Sequence, residues 1–425
     1  MRFRQQWKLV KMSSKNLPYK IKPLSFFDKE INLPASKSHS NRALILGAIR
    51  GASFKVHNLS TSTDVTNLLN AFKKIGLSFL VNGTSVTFLN TFPECEKSSD
   101  GEVIELLTGD GGTTNRFLIA LLSRGKKEYH LRPSEKMNER PIEDLLAPLK
   151  KLGVLFSHNT SNDPTQPWLK IKGPASLYNT SKLEIDCSKS TQFATALMLA
   201  FSNRPLQFDF INLHASEMYI KMTSQVMKKS LESNSYTVPV DFSSLGYPIA
   251  LAAVKGRVLI KNCLEIDTFQ PDSQLIEILK SSGASRALSI SGLEVKKGVH
   301  LKAFNFDVSK APDLFPTLVF LAAHAEGVSV LSNLNILKFK ESDRLKEMIS
   351  LMEIFGVEMN YNYTEDLIQI TGSTSKKYSQ AIVKPARDHR IVMSAALFMA
   401  TNNGGELYEM DCVEKSFPGF FSLLE

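Results

Sequence analysis

The chain has 425 residues, 43% of them hydrophobic and 22% charged, and a formal net charge of +9. This length exceeds one ordinary core and allows two or three domains, while the composition excludes a disordered or fibrous chain. Apolar runs at 194–201 and 317–323 are far too short to span a membrane, and the four cysteines (Cys95, Cys187, Cys263 and Cys412) lack the close spacing of a zinc site or disulfide framework.

The basic start, residues 1–11, is followed by no apolar signal-peptide core, so a cytoplasmic location is expected. Lys and Arg residues are dispersed, with no aromatic-interleaved basic stripe. Small anionic substrates therefore fit the charge better than nucleic acid or a membrane surface.

In chain order, one element recurs: a polar start opening a short helix rich in Ala, Leu, Ile and Met. It reads Ser40-Asn41-Arg42-Ala43-Leu44, Thr114-Asn115-Arg116-Phe117-Leu118 and Thr191-Gln192-Phe193-Ala194-Thr195. It returns as Ser244-Leu245-Gly246-Tyr247-Pro248, Pro312-Asp313-Leu314-Phe315-Pro316 and Asp388-His389-Arg390-Ile391-Val392. With Arg42, Arg116, Phe193, Tyr247, Phe315 and Arg390 taken as equivalent, the steps are 74, 77, 54, 68 and 75 residues. A second element is an amphipathic helix ending at glycine, at 64–76, 142–153, 273–283 and 342–356. Between the helices lie β-like runs such as Phe54-Lys55-Val56-His57, Ser329-Val330-Leu331 and Leu367-Ile368-Gln369-Ile370.

Six such units predict an α/β protein built as two similar domains of three units each. The short third step predicts a hairpin lost near 232–236. Crossings between domains are expected near 33–36 and 240–243. They divide the chain into a discontinuous domain (1–33 plus 243–425) and an inserted one (34–242). Helix N-termini converging on one cleft would offer unpaired N–H groups and dipoles to anions. Arg42, Arg116 and Arg390, expected in first turns, would add positive charge.

The segment Leu33-Pro34-Ala35-Ser36-Lys37-Ser38-His39-Ser40-Asn41-Arg42-Ala43 resembles the first substrate motif of the 5-enolpyruvylshikimate-3-phosphate synthases. Asp110-Gly111-Gly112-Thr113-Thr114-Asn115-Arg116, Met137-Asn138-Glu139-Arg140-Pro141-Ile142 and Ser190-Thr191-Gln192 follow in family order, then Ser216 with Tyr219. Pro312-Asp313, Lys340-Glu341-Ser342-Asp343-Arg344-Leu345, Asp388-His389-Arg390 and Lys415-Ser416-Phe417-Pro418 complete a resemblance running from about residue 31 to 424.

The resemblance implies βαβαββ-like units, three per domain (an inside-out α/β barrel), with the active site between the domains. It implies transfer of the enolpyruvyl group of phosphoenolpyruvate to the 5-hydroxyl of shikimate 3-phosphate. Phosphate is released from a tetrahedral intermediate, and neither a metal nor an organic cofactor is implied. By resemblance, Asp313 accepts the hydroxyl proton, while Glu341 and Lys37 share proton delivery. Shikimate 3-phosphate falls to Lys37, Ser38, Arg42, Thr113, Ser190, Thr191, Gln192, Ser216, Tyr219, Asp313 and Lys340. Phosphoenolpyruvate falls to Lys37, Gly112, Lys136, Gln192, Arg344, Arg390 and Lys415. Domain closure on ligand and competition by glyphosate are implied as well, and a monomer is expected.

Two positions depart from the family pattern. Lys136 stands where arginine is usual, which keeps the charge and loses the planar two-donor grip. Ile336, where asparagine is frequent, can offer only its backbone. Three rival readings are weaker. A UDP-N-acetylglucosamine enolpyruvyl transferase usually carries a reactive cysteine in the loop that here reads Ser134-Glu135-Lys136-Met137. RNA 3′-terminal phosphate cyclase needs a nucleotide-accepting histidine, and His389, between Asp388 and Arg390, fits the shikimate pattern better. A basic, non-catalytic nucleic-acid-binding protein rests on charge alone.

Overall fold

The computed structural model describes residues 17–425 apart from 52, 97–101, 135, 136, 138, 162, 164, 179, 214 and 374–379. Two short strands, Tyr19–Ile21 (β1) and Phe27–Ile31 (β2), come first. The first unit then runs helix Lys37–Arg50 (α1), strand Lys55–His57 (β3), helix Thr63–Lys74 (α2) and hairpin Phe79–Asn82 (β4) with Ser85–Phe88 (β5). The second unit opens on a strand of its own, Val103–Gly109 (β6), before Gly112–Leu122 (α3) and Glu128–Pro133 (β7). Glu143–Lys151 (α4), Leu155–His158 (β8) and Leu169–Lys172 (β9) complete it. The third is Lys182–Asp186 (β10), Gln192–Ala200 (α5), Gln207–Ile211 (β11) and Glu217–Ser233 (α6), followed at once by Ser235–Thr237 (β12).

The second half repeats the plan. Phe242–Lys255 (α7), Gly256–Ile260 (β13), Gln274–Ser281 (α8), Ser285–Ser289 (β14) and Gly292–Lys296 (β15) form the fourth unit. The fifth opens with Asn305–Asp307 (β16), Phe315–His324 (α9) and Gly327–Ser332 (β17). It ends with Arg344–Phe355 (α10), Glu358–Asn362 (β18) and Leu367–Gly372 (β19). Ala381–Val383 (β20), His389–Thr401 (α11) and Gly405–Leu407 (β21) make the sixth.

Sheet order shows how incomplete units are completed. The second and fifth units carry full sheets, β6-β7-β9-β8 and β16-β17-β19-β18, with the first pair parallel and the others antiparallel. Units one and four take their first strand from elsewhere: β12 runs parallel to β3, and β2 parallel to β13. The third keeps only the parallel pair β10–β11, since α6 ends at Ser233 and β12 begins at Ser235, with no chain between for a hairpin. That gap lies where the short third step places it.

Two kinds of helix alternate. Helices α1, α3, α5, α7, α9 and α11 are buried over nearly all their length, as helices apolar all round must be. The amphipathic α2, α4, α6, α8 and α10 bury one face. Gly76 and Gly356 follow α2 and α10 at φ +91° and +65°, a conformation that costs glycine no Cβ clash. Side-chain caps mark several helix starts: Ser36 accepts from the His39 N–H, Asp343 from Lys346 and Asp388 from Arg390.

Buried apolar side chains fall into two separate clusters. One comprises residues within 21–33 and 242–424, the other residues within 35–238. Each surrounds three of the fully buried helices. The chain passes between the clusters at two adjacent places, where Ser36 N–H donates to Pro239 O (2.8 Å) and Asp241 N–H to Pro34 O (3.0 Å). Among the described residues, no helix is long and apolar enough to cross a membrane.

Candidate active site

The amino ends of the buried helices meet between the two clusters. Lys37 and Ser38 open α1, Gly112 and Thr113 open α3, Gln192 opens α5, and His389 and Arg390 open α11; all line one cleft. Ser190 and Thr191 precede α5, while Ser216 and Tyr219 flank the start of α6. The cluster that holds α11 also contributes Asp313 just before α9, Lys340 and Glu341 before α10, and Arg344 at its first residue. Arg42 and Ile336 line the cleft too. Lys415 stands at its edge, with Nζ 3.0 Å from Glu341 Oε1. The fold thus gathers every described candidate from distant stretches of chain. Lys136 lies outside the described residues. Arg140, four residues on, lines the wall, and an added Cβ at Gly112 would come within 2.0 Å of its guanidinium.

Eight Lys or Arg side chains line the cleft against three acids, Asp64, Asp313 and Glu341. Helix N-termini add partial positive charge of the same sense, so the space is built for more than one anion.

Asp313 is the most heavily contacted acid. Arg344 Nη1 donates to its Oδ1 at 2.8 Å and Arg390 Nη2 to its Oδ2 at 2.9 Å. Lys340 Nζ is 3.8 Å from Oδ1, and Tyr219 Oη donates to Oδ2 at 3.4 Å. Burial works to raise this carboxyl, but Arg390, Lys340 and Arg344 together hold it well below the usual carboxylate range. Lys340 is itself brought down to about 8 by burial, against the attraction of Asp313. Behind Arg344, the fully buried Asp388 accepts from its Nε at 2.8 Å and fixes the guanidinium plane.

A second acid–cation group adjoins the first, since Glu341 follows Lys340 and His389 precedes Arg390 in the chain. Glu341 accepts from His389 Nδ1 at 2.8 Å and pairs with Lys415. Burial depresses His389, against the raising pull of Glu341, and its Nδ1–H orients the carboxylate. Burial would raise Glu341, but His389 and Lys415 keep it well below its ordinary value. Lys37 Nζ is 3.0 Å from Oδ2 of the buried Asp64. Donor atoms of Glu341, Asp388 and His389 lie within 4.8 Å of one another, a spacing that a metal ion can bridge. Arg344 and Lys415 already supply the positive charge there, which opposes one.

Two expectations need correction. Arg42 and Arg116 are the sixth and fifth residues of their helices, in the second turn rather than the first; only Arg390 sits in a first turn. The reason is that α1 and α3 begin at Lys37 and Gly112, before the hydroxyl tetrad. Both arginines are buried, Arg42 donating to Thr223 Oγ1 (2.9 Å) and Ser38 O (2.8 Å), Arg116 to Gln192 Oε1 (2.7 Å) and Pro141 O (2.8 Å). Sequence reasoning also misses Asp64, Lys189 and Phe339 as wall residues. Asp272 escapes it as well; it is a buried acid bonded by Ser243 and pushed up to about 7 by burial, against Arg390.

Comparison with known proteins bears on this arrangement. Residues 21–424 match the family model described as EPSP synthase (3-phosphoshikimate 1-carboxyvinyltransferase). The chain belongs to the EPSP synthase family. A 3-phosphoshikimate 1-carboxyvinyltransferase of Sulfurovum sp. (strain NBC37-1) is 30% identical over 433 residues, covering 95% of this chain and 98% of that protein. One from Aliivibrio fischeri (strain MJ11) is 31% identical over 435 residues, with the same coverage. The solved EPSP synthase of Acinetobacter baumannii superposes with a TM-score of 0.72 at 24% identity, over 96% of this chain and 97% of that one, which establishes a shared fold. The cleft described above is therefore set in an EPSP synthase fold over nearly its full length.

Proposed function

We propose that this chain joins the enolpyruvyl group of phosphoenolpyruvate to the 5-hydroxyl of shikimate 3-phosphate and releases phosphate. The observation that carries the reading is one cleft holding Asp313 between two guanidinium groups together with Lys37 and Glu341 among further cations. The hydroxyls of Ser190, Thr191, Ser216 and Tyr219 with the Gln192 amide suit a polyol phosphate, since each hydroxyl both donates and accepts. Arg140, Arg344, Arg390 and Lys415 suit the carboxylate and phosphate of phosphoenolpyruvate.

In this mechanism the 5-hydroxyl oxygen bonds to C2 of phosphoenolpyruvate as its proton passes to Asp313. The methylene carbon takes a proton from Lys37 or Glu341, giving the tetrahedral intermediate. Return of one methyl proton to the group that delivered it and departure of the phosphate with the bonding pair of its C–O bond restore the double bond. The cationic wall stabilises the leaving phosphate. No step calls for a metal or an organic cofactor.

The two core clusters serve as two domains, 34–242 inserted in 1–33 plus 243–425, that close on shikimate 3-phosphate. One chain supplies the whole cleft, so a cytoplasmic monomer suffices. Phosphate release tests the reading: it is expected only when both substrates are present. Release supported by UDP-N-acetylglucosamine in place of shikimate 3-phosphate would overturn it in favour of the cell-wall transferase.

A further inference from the structure

Asp313 has no free oxygen in this structure. One guanidinium N–H occupies each carboxylate oxygen, from Arg344 on Oδ1 and Arg390 on Oδ2, and Arg390 Nη1 also reaches the Asp313 main-chain oxygen at 3.3 Å. A proton acceptor bound in this way is a weak one, because each charge-assisted bond favours the ionised form. The same two arginines face the cleft where an anion would enter. Their anchoring differs. Arg344 is fixed from behind by Asp388, so only Nη1 is committed to Asp313. Arg390 has no carboxylate fixing it from behind at salt-bridge distance among the described residues: both of its donors at hydrogen-bond distance go to Asp313, and the Tyr247 hydroxyl lies beside it.

We propose that Arg344 and Arg390 keep Asp313 masked until phosphoenolpyruvate takes their N–H donors, so that this substrate itself uncovers the proton acceptor. This rests on the functional reading above and adds a coupling between anion binding and acid–base competence. The exchange conserves charge-assisted bonds: each N–H that leaves the carboxylate is taken by a phosphate or carboxylate oxygen of the ligand. Two effects then act on Asp313 in one direction. It loses stabilising donors, and it gains a neighbouring negative charge, which further favours its protonated form. In the free protein the groups facing Asp313 are Arg344 from α10, Arg390 from α11, Lys340 before α10, Tyr219 from α6 and, at longer range, Asp272 before α8. The three cations dominate that set, and the masked state is the one they favour.

The masking also gives a reason for arranging the arginines around the acid rather than apart from it. An acceptor that becomes competent only with the electrophile present takes the hydroxyl proton when the new C–O bond can form. The cost is that phosphoenolpyruvate must displace an intramolecular anion to bind.

The test is a carbon NMR titration of protein labelled at the aspartate side-chain carboxyl carbon, with Asp313 assigned by its absence in Asp313→Asn. In the free protein the Asp313 resonance is expected to stay that of an ionised carboxylate down to the acid limit of folding. With phosphoenolpyruvate at saturation its midpoint is expected to rise by at least ~1 pH unit. A free-state midpoint in the ordinary aspartate range, or no upward movement with ligand bound, would overturn the masking. Binding is followed independently on the phosphorus resonance of the ligand. A resonance unmoved by the protein alone overturns the masking by phosphoenolpyruvate; one unmoved with shikimate 3-phosphate added as well overturns the functional reading. Arg390→Gln in the free protein gives a second measure: the masking predicts an upward midpoint shift, and an unchanged midpoint contradicts it.

Discussion

Asp313→Asn is expected to lower kcat by about 10²- to 10⁴-fold while the fold survives, which is the range for removing a positioned general base. Asparagine has nearly the same shape and keeps one oxygen to accept from Arg344 or Arg390, but it cannot take a proton at neutral pH. The side chain is 24% exposed to the cleft rather than sealed in a core, so the two guanidinium groups can regain solvent or anion contacts. Phosphate release at saturating substrates, with a urea melt alongside, separates chemistry from folding. A kcat within about threefold of the wild type would remove Asp313 from the mechanism.

The largest expected effect on stability is at Asp388. This carboxylate is fully buried, accepts from Arg344 Nε at 2.8 Å and Ser342 Oγ at 3.2 Å, and caps α11 through the Arg390 N–H at 3.0 Å. Asp388→Ala removes the buried one of the two counter-charges of the Arg344 guanidinium, leaving only Asp313, a loss of about 3–5 kcal/mol, and removes a cap as well. At roughly 2–4 °C per kcal/mol for a domain of this size, Tm should fall by about 10 °C. KM for phosphoenolpyruvate should rise too, because the Arg344 plane is no longer held. Asp388→Asn retains the cap and one acceptor, so it should recover much of the Tm and less of the KM. Equal losses in both variants would mean that the ion pair, not the capping contact, is what matters.

Much of this architecture is legible in the amino-acid order. Polar tetrads ahead of apolar runs mark the six buried helices, and the glycines ending α2 and α10 mark where amphipathic helices stop, because both signals are local. The site residues are legible for a different reason: their motifs resemble a family's, in order. What stays hidden depends on partners far apart along the chain. Asp64 reads as an ordinary helix start until folding sets it 3.0 Å from Lys37, 27 residues away. Asp272 reads as a turn acid until Ser243 and the field of Arg390 surround it. The pairing of β12 with β3 and of β2 with β13 is equally invisible, since strands of three to five residues carry no record of which sheet they complete. Arg42 and Arg116 read a turn too early because the hydroxyl tetrad looks like a cap, whereas the helices already begin at Lys37 and Gly112.

Proton NMR of the organic product is the most direct test of the chemistry assigned to this cleft. Incubation with shikimate 3-phosphate and phosphoenolpyruvate is predicted to produce two vinyl protons of an enol ether carried on the 5-oxygen, in step with the phosphate released. Vinyl signals that remain those of phosphoenolpyruvate, in a folded protein holding both substrates, would contradict it.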